Sequence, residues 1–160
     1  MTLDSIDLEI ISILQRSGDI SNVELAERVA LSPTPCARRV KILEDAGFFR
    51  GKVTLVSQQA IGLPVTAFVQ ITMSRQKREK LSRFEEIISS WPEVMEFYLM
   101  TGDFDYLLRV VATGLDGFQE FIAKLTDVEG IGQMKSSFAL KQVTYRTALP
   151  LDQLRSSPGR

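Results

Sequence analysis

The chain has 160 residues, 44% of them hydrophobic and 24% charged, with a formal net charge of −1, one cysteine and no histidine. This is the composition of a folded protein with room for one ordinary domain or two small ones. It excludes an internal disulfide and every histidine-dependent triad, no apolar run reaches the length of a membrane span, and without a global basic field any grip on nucleic acid must come from a local patch.

Leu3 to Leu14 sets Ile6, Ile10, Ile13 and Leu14 at a helical period, with Asp4 and Asp7 near the start, where the helix dipole favours anions. Ser17-Gly18-Asp19 ends it. Ser21-Asn22-Val23-Glu24 fits a capping box and opens a second helix to about Val29, burying Leu25, Ala26 and Val29. Only Ala30 and Leu31 separate it from Ser32, the expected N-cap of a third helix with Pro33 at its first position. There Cys36, Val40 and Leu43 form one apolar stripe, and Thr34, Arg38 and Lys41 repeat the spacing on the other side. Ser32 to Leu43 holds three basic residues and no acid. Two short helices joined by a tight turn, the second cationic, read as a helix-turn-helix with the first helix packed behind. Asp45-Ala46-Gly47 ends the third helix, Gly47 being its left-handed cap. Phe48 to Val56 alternates weakly around Gly51 and reads as a small β-ribbon or an extended exit strand. Gly62 and Pro64 mark a boundary, giving a DNA-binding domain over residues 1–64.

The pattern then changes. Val65 to Met73 is β-rich and reads as a strand. Ser74 to Arg83 is polar and basic, its charge run Arg75 to Arg83 reading as a solvated helix start or, as the alternative, a secondary surface for wrapped DNA, and Phe84, Ile87, Ile88 and Trp91 follow as an apolar helical stripe that Pro92 stops. Val94 to Met100 and Tyr106 to Ala112 read as two strands of a hairpin around Thr101-Gly102-Asp103-Phe104-Asp105. Gly114 to Leu125 is a helix burying Phe118, Phe121, Ile122 and Leu125. Gly130 and Gly132 punctuate, and Met134 to Leu140 is a fourth strand, with a short continuation expected near Val143-Thr144-Tyr145. The order βαββαβ is the ferredoxin-like plan, an antiparallel sheet with both helices on one face. The fold class is therefore α+β: a three-helix helix-turn-helix domain, a ferredoxin-like sandwich over residues 65–152, and a frayed tail over 153–160.

Leu3-Asp4-x-Ile6-Asp7, Ser21-Asn22-Val23-Glu24-Leu25, Leu31-Ser32-Pro33-Thr34-Pro35-Cys36, Leu43-Glu44-x-x-Gly47 and Gly102-Asp103-Phe104-Asp105-Tyr106-Leu107-Leu108 stand in an order and spacing that resemble the leucine-responsive regulator/AsnC (feast/famine) family of prokaryotic transcription factors. The resemblance covers roughly residues 2 to 152. It implies a winged or ribbon-flanked helix-turn-helix, a C-terminal ligand-sensing and oligomerising domain, and dimers that assemble into tetramers, octamers or larger discs. It also implies a small effector, usually an amino acid, bound between neighbouring dimers. Arg38 departs from the acidic residue of the leucine-responsive member, so its DNA sequence preference does not carry over.

The expected partners are double-stranded DNA, an amino-acid effector and further copies of the chain, with no membrane, cofactor or metal. Arg38 can take guanine bidentately, and Lys41 offers phosphate a point charge. Ser21, Ser32 and Thr34 supply hydroxyls to the DNA backbone, with Asn22 and Pro35 completing the set. Arg39 lies nearer the buried edge, suited to an ion pair with Glu44 or to a phosphate. Cys36 reads as a small buried hydrophobe, since no histidine can activate it. For the effector, Asp103 and Asp105 offer carboxylates to an ammonium group and Gly102 a backbone N–H to a carboxylate, flanked by Thr101 and Tyr106. Met100 and Met134 line the side-chain end, and Ser136 and Ser137 add hydroxyls from a neighbouring subunit. Gly and Asp also simply make turns, and the carboxylate pair is short of ligands for a metal. The expected function is a cytoplasmic, sequence-specific DNA-binding regulator answering to a small effector. The alternatives are an architectural protein that bends DNA with little specificity, or an amino-acid-sensing enzyme subunit, which no catalytic constellation supports.

Overall fold

The computed structural model describes residues 2–74 and 78–155. The chain divides into two compact units: one joins the N-terminal residues as far as Thr54 to the segment from Val143 onward, and the other runs Leu55–Gln142. The break falls ahead of the expected boundary at 64/65. Gln58 explains this: its side-chain amide donates to the carbonyls of Leu63 and Val65 and to the Thr66 hydroxyl, fastening the 57–64 turn to the first strand.

The first unit holds α1 (Ser5–Leu14), α2 (Asn22–Arg28) and α3 (Pro33–Asp45). Asp4 caps α1 through a reciprocal box with Asp7, and Ser21 caps α2 through the same device with Glu24. Ser32 stands at the N-cap of α3, but its hydroxyl makes no capping bond. Pro35 occupies the third helical position and has no N–H to donate, so one of the two customary partners of a capping hydroxyl is missing. Ile10, Ile11, Leu25, Ala26, Val29, Cys36 and Leu43 form the core. Gly47 ends α3 at φ +77°, the left-handed conformation foreseen for the cap. Phe48 to Val56 forms no strand, and Val53, Leu55 and Val56 are exposed, so neither a β-ribbon nor an exit strand is made.

The second unit holds β1 (Val65–Met73), α4 (Arg78–Ser89), β2 (Val94–Leu99), β3 (Tyr106–Ala112), α5 (Leu115–Thr126) and β4 (Ile131–Phe138). The sheet order is β2-β3-β1-β4, antiparallel throughout. Ala67, Val69 and Ile71 alternate along β1 and meet Leu108 and Val110 of β3 and the apolar stripes of α4 and α5 in one core, which puts both helices on one face. Helix α4 begins at least as early as Arg78, inside the basic run; the residues 75–77 lie outside those described. Leu81, one turn before Phe84, extends the stripe that was read from Phe84 onward. Strand β4 begins three residues before the expected Met134. Gly132 is a strand residue, not punctuation: a Cβ there would stand 3.0 Å from the Ser74 nitrogen and 3.2 Å from the Thr72 oxygen, beside a register shift in β1. No strand forms near Val143-Thr144-Tyr145, and the tail expected to fray from 153 instead carries α6 (Asp152–Arg155) in the first unit, with residues 156–160 outside those described.

Candidate functional site

The turn between α2 and α3 is made by Ala30 at φ +55°, the described non-glycine residue with positive φ. An L side chain there is strained, and the turn is held by the Leu31 N–H donating to the Ala26 carbonyl at 2.9 Å. Asn22 adds a second tie: its side-chain amide donates to the Pro33 carbonyl at 2.8 Å, fixing the first turn of α3 to the start of α2. Asn22, offered as a DNA contact, thus sets the angle between the two helices. Ser21 is occupied by its Glu24 box.

Arg39 is bound neither to Glu44 nor left free for phosphate. Its Nη1 donates to Asp4 Oδ2 and to Asp7 Oδ1, both at 2.7 Å, tying α3 to the N-terminus of α1. Asp7 is 4% exposed, so its carboxylate needs that cation. The Asp7 backbone N–H and the Arg39 guanidinium hold the Asp4 carboxyl below its ordinary value of 3.8. A carboxyl depressed on folding adds stability that is complete above the unfolded value and is lost as pH falls below it toward the folded value. The urea midpoint of the protein is therefore expected to drop on acidification through about pH 4, and Asp4→Asn, which keeps the cap but not the charge, is expected to flatten that part of the profile. An unchanged profile in the variant would show that Asp4 does not carry this dependence.

Lys41 bridges to Asp45 at 2.6 Å within α3, both groups about two-thirds exposed. Such a pair is weak and open to exchange for a phosphate. Ser32, Thr34 and Pro35 are exposed without a side-chain bond among the described residues. Arg38 is exposed, and of the three cations of α3 it alone has no ion pair or hydrogen bond in the described structure. It lies one turn from Thr34 on the same side of the helix. Cys36 is fully buried, and burial pushes its thiol up, away from the reactive thiolate.

In the second unit the turn 101–105 joins β2 to β3. Gly102 takes φ +121°, which suits glycine alone. Asp105 stitches this turn to β1: its N–H donates to the Ile71 carbonyl at 2.9 Å, its carbonyl accepts from the Met100 N–H at 2.8 Å, and its Oδ2 accepts from the Met73 N–H at 2.7 Å. One carboxylate oxygen is thus committed to the backbone. Asp103 is exposed, with no side-chain partner in the described structure, and Met100 and Thr101 are exposed beside it. Tyr106 does not face the turn. It is 2% exposed, and its hydroxyl donates to Glu85 Oε1 of α4 at 2.7 Å, with burial pushing the phenol pKa up and Glu85 adding to the shift. Met134 pairs in register with Ile71, at the end of the sheet to which Asp105 fastens the turn. Ser136 and Ser137 alternate across β4 and point to opposite faces, so they cannot serve one ligand from one chain. Ser136 opens into a groove of about 440 Å³ between α5 and β4, lined also by Leu115, Phe118, Gln119, Ile122, Ala123 and Phe138. Of these, Phe118 and Ile122 carry the helix-core period in the sequence, and nothing in the spacing of the lining marks a cavity. Among the described residues no group of three or more acids or thiols is placed to hold a metal, and no described helix is long and apolar enough to cross a membrane.

Comparison with known proteins covers both units. Residues 3–50 match the winged helix-turn-helix DNA-binding model and residues 66–149 the Lrp/AsnC ligand binding domain model. The chain is 40% identical over 151 residues to the DNA-binding transcriptional activator DecR of Escherichia coli, spanning 94% of this chain and 99% of that protein. It is 41% identical over 142 residues to the leucine-responsive regulatory protein of Rhizobium meliloti, spanning 88% and 91%. A transcriptional regulator of Neisseria meningitidis, solved as a complex with L-Met, superposes with a TM-score of 0.91 at 40% identity over 96% of this chain and 99% of that one.

Proposed function

Since the chain belongs to the Lrp/AsnC family of DNA-binding transcriptional regulators, we propose that it reads a two-part operator as a homo-oligomer in the cytoplasm and that an amino acid bound to its C-terminal unit alters that reading. The observation that carries the proposal is Arg38, an exposed cation without a partner among the described residues, on a helix whose other two cations are already paired. Thr34, Pro35 and Ser32 flank it on the same exposed stretch, and Lys41 can trade Asp45 for a phosphate. Arg39 and Asn22 act from behind, holding the reading helix in place. One helix of thirteen residues gives too small a footprint for specific binding by itself, so the operator needs two such helices on half-sites about one helical turn apart, or a multiple of it. The exposed apolar residues Val53, Leu55 and Val56 are available to a second copy. The effector reading rests on the ligand-binding family model, on the turn with Asp103 and Gly102, and on the similar Neisseria meningitidis regulator, which was solved as a complex with L-Met. That chemistry favours an apolar over a charged amino acid, with Met100 and Met134 at its side-chain end.

Footprinting on the DNA upstream of the chain's own gene, with light scattering on the same sample, tests the first half. Paired protected half-sites and a species of at least dimeric mass are expected. A monomer at micromolar concentration that still protects its operator would defeat the paired arrangement.

A further inference from the structure

Helices α1 to α3 do not complete the DNA-binding unit by themselves. After β4 the chain runs from Ala139 to Leu151 without helix or strand, and its side chains give it little hold: Leu140 is fully exposed, Val143 85% and Leu149 70% exposed. What fastens the segment is local. The Leu149 N–H donates to Gln15 Oε1 at 2.7 Å, and Gln15 Nε2 donates back to the Leu149 carbonyl at 3.4 Å. Gln15 is the C-cap residue of α1, and its amide thus grips the backbone of one residue on both sides of its Cα. Two residues on, Leu151 packs against the three-helix core, and its carbonyl accepts from the Leu154 N–H at the start of α6. The Gln15 bonds bear on the end of α1, the helix whose other end holds Arg39, and Leu151 adds to the core that α1 shares with α2 and α3.

We propose that the segment from Val143 is a strap that completes the DNA-binding unit, so that the firmness of α1, and through it the seat of the reading helix, depends on a segment that issues from the last strand of the ligand-binding sheet. The sheet and the reading head are then joined by two covalent connections, the linker after α3 and the strap after β4, instead of one. The strap begins at the strand that carries Met134 and Ser136, which makes it a direct route from that strand to α1.

The test uses the full chain with three substitutions: Leu151→Asp, which expels the anchor; Gln15→Ala, which removes the grip; and Gln15→Glu, which keeps the acceptor for the Leu149 N–H. Amide hydrogen exchange is followed at Gln15, Arg16 and Ser17, whose N–H groups close the last turn of α1, and along β1. Exchange at the end of α1 is expected to quicken about tenfold or more in Leu151→Asp and Gln15→Ala, to stay near wild type in Gln15→Glu, and to be unchanged along β1. Affinity for random-sequence duplex DNA is expected to fall with it in the first two variants. Unchanged exchange at α1 in both, or equal quickening along β1, would overturn the strap. Should Leu151→Asp fail to fold, Gln15→Ala at the half-exposed cap decides alone. Exchange reads the strap whether or not the protein binds the duplex, so a wild type that binds no DNA would count against the proposed function and not against the strap.

Discussion

Arg38→Ala is expected to weaken operator binding by about 1–3 kcal/mol per half-site, a factor of roughly 5 to 150 for each helix engaged. The reason is geometric. Arg38 stands exposed on the reading helix with no partner among the described residues, so its guanidinium meets a base edge without first breaking an ion pair with them. Affinity for random duplex should fall much less, so the ratio of specific to non-specific binding should collapse. Lys41→Ala is expected to behave differently. Its loss removes one phosphate contact per helix, lowers affinity for all sequences alike and flattens the salt dependence by about one unit of slope per contact. Titration of operator and random duplex at several salt concentrations checks both. If Arg38→Ala leaves the specificity ratio intact, Arg38 positions the helix and does not read.

Arg39 is the internal control for that pair. It carries the same charge one residue away, yet its guanidinium is spent on Asp4 and Asp7. Arg39→Ala is expected to lower the thermal midpoint of the protein by more than Lys41→Ala does, because it strips the cation from the buried Asp7, and to weaken DNA binding only as far as α3 loosens. A binding loss as specific as that of Arg38→Ala, with stability unchanged, would show that Arg39 leaves α1 to read DNA.

What was legible in the sequence was local. Ser21 and Glu24, three apart, announce their capping box because helix ends are satisfied within one turn. Cys36, Val40 and Leu43 announce a buried stripe because the helical period repeats within the same window, and all three lie on the inward side. The sheet strands follow from alternation of the same short range. What was hidden depends on partners far along the chain. The carboxylates that capture Arg39 lie 35 and 32 residues before it. The residue whose backbone Gln15 grips lies 134 residues beyond it. The N–H that occupies Asp105 belongs to Met73 on another strand. No periodicity reports such pairings, so Asp105 reads as a free carboxylate until the fold brings β1 beside it. Ala30 is a different case: its left-handed backbone carries no residue signal, because the usual glycine is absent and the turn is imposed by the packing of α2 on α3.

A screen of the twenty amino acids by thermal shift is expected to give stabilisation by an apolar one at millimolar concentration, and the two aspartates of the turn are expected to separate in it. Ligand that binds the native state alone raises stability by RT ln(1 + [L]/Kd), about 2.7 kcal/mol at a hundredfold excess over Kd, so a real site is easily seen. Asp103 has an exposed carboxylate with no partner among the described residues and is the better anion for an incoming ammonium group. Asp103→Ala should therefore leave the unliganded midpoint near wild type and abolish the shift. Asp105 already accepts the Met73 N–H at 2.7 Å, so Asp105→Ala should lower the unliganded midpoint, by about 1–3 kcal/mol of lost stability, as expected for a part-buried N–H deprived of a charged acceptor. Its effect on the shift then comes through a loosened turn. Asp105→Asn, whose carbonyl can still accept from Met73, should restore most of the midpoint, and if Asp105 is only structural it should restore the ligand shift as well. A ligand shift lost in Asp105→Asn but kept in Asp103→Ala would reverse the assignment and make the remaining oxygen of Asp105 the ammonium acceptor. If no amino acid stabilises the wild type, the Gly-Asp-Phe-Asp stretch is a turn pinned to β1 and nothing more.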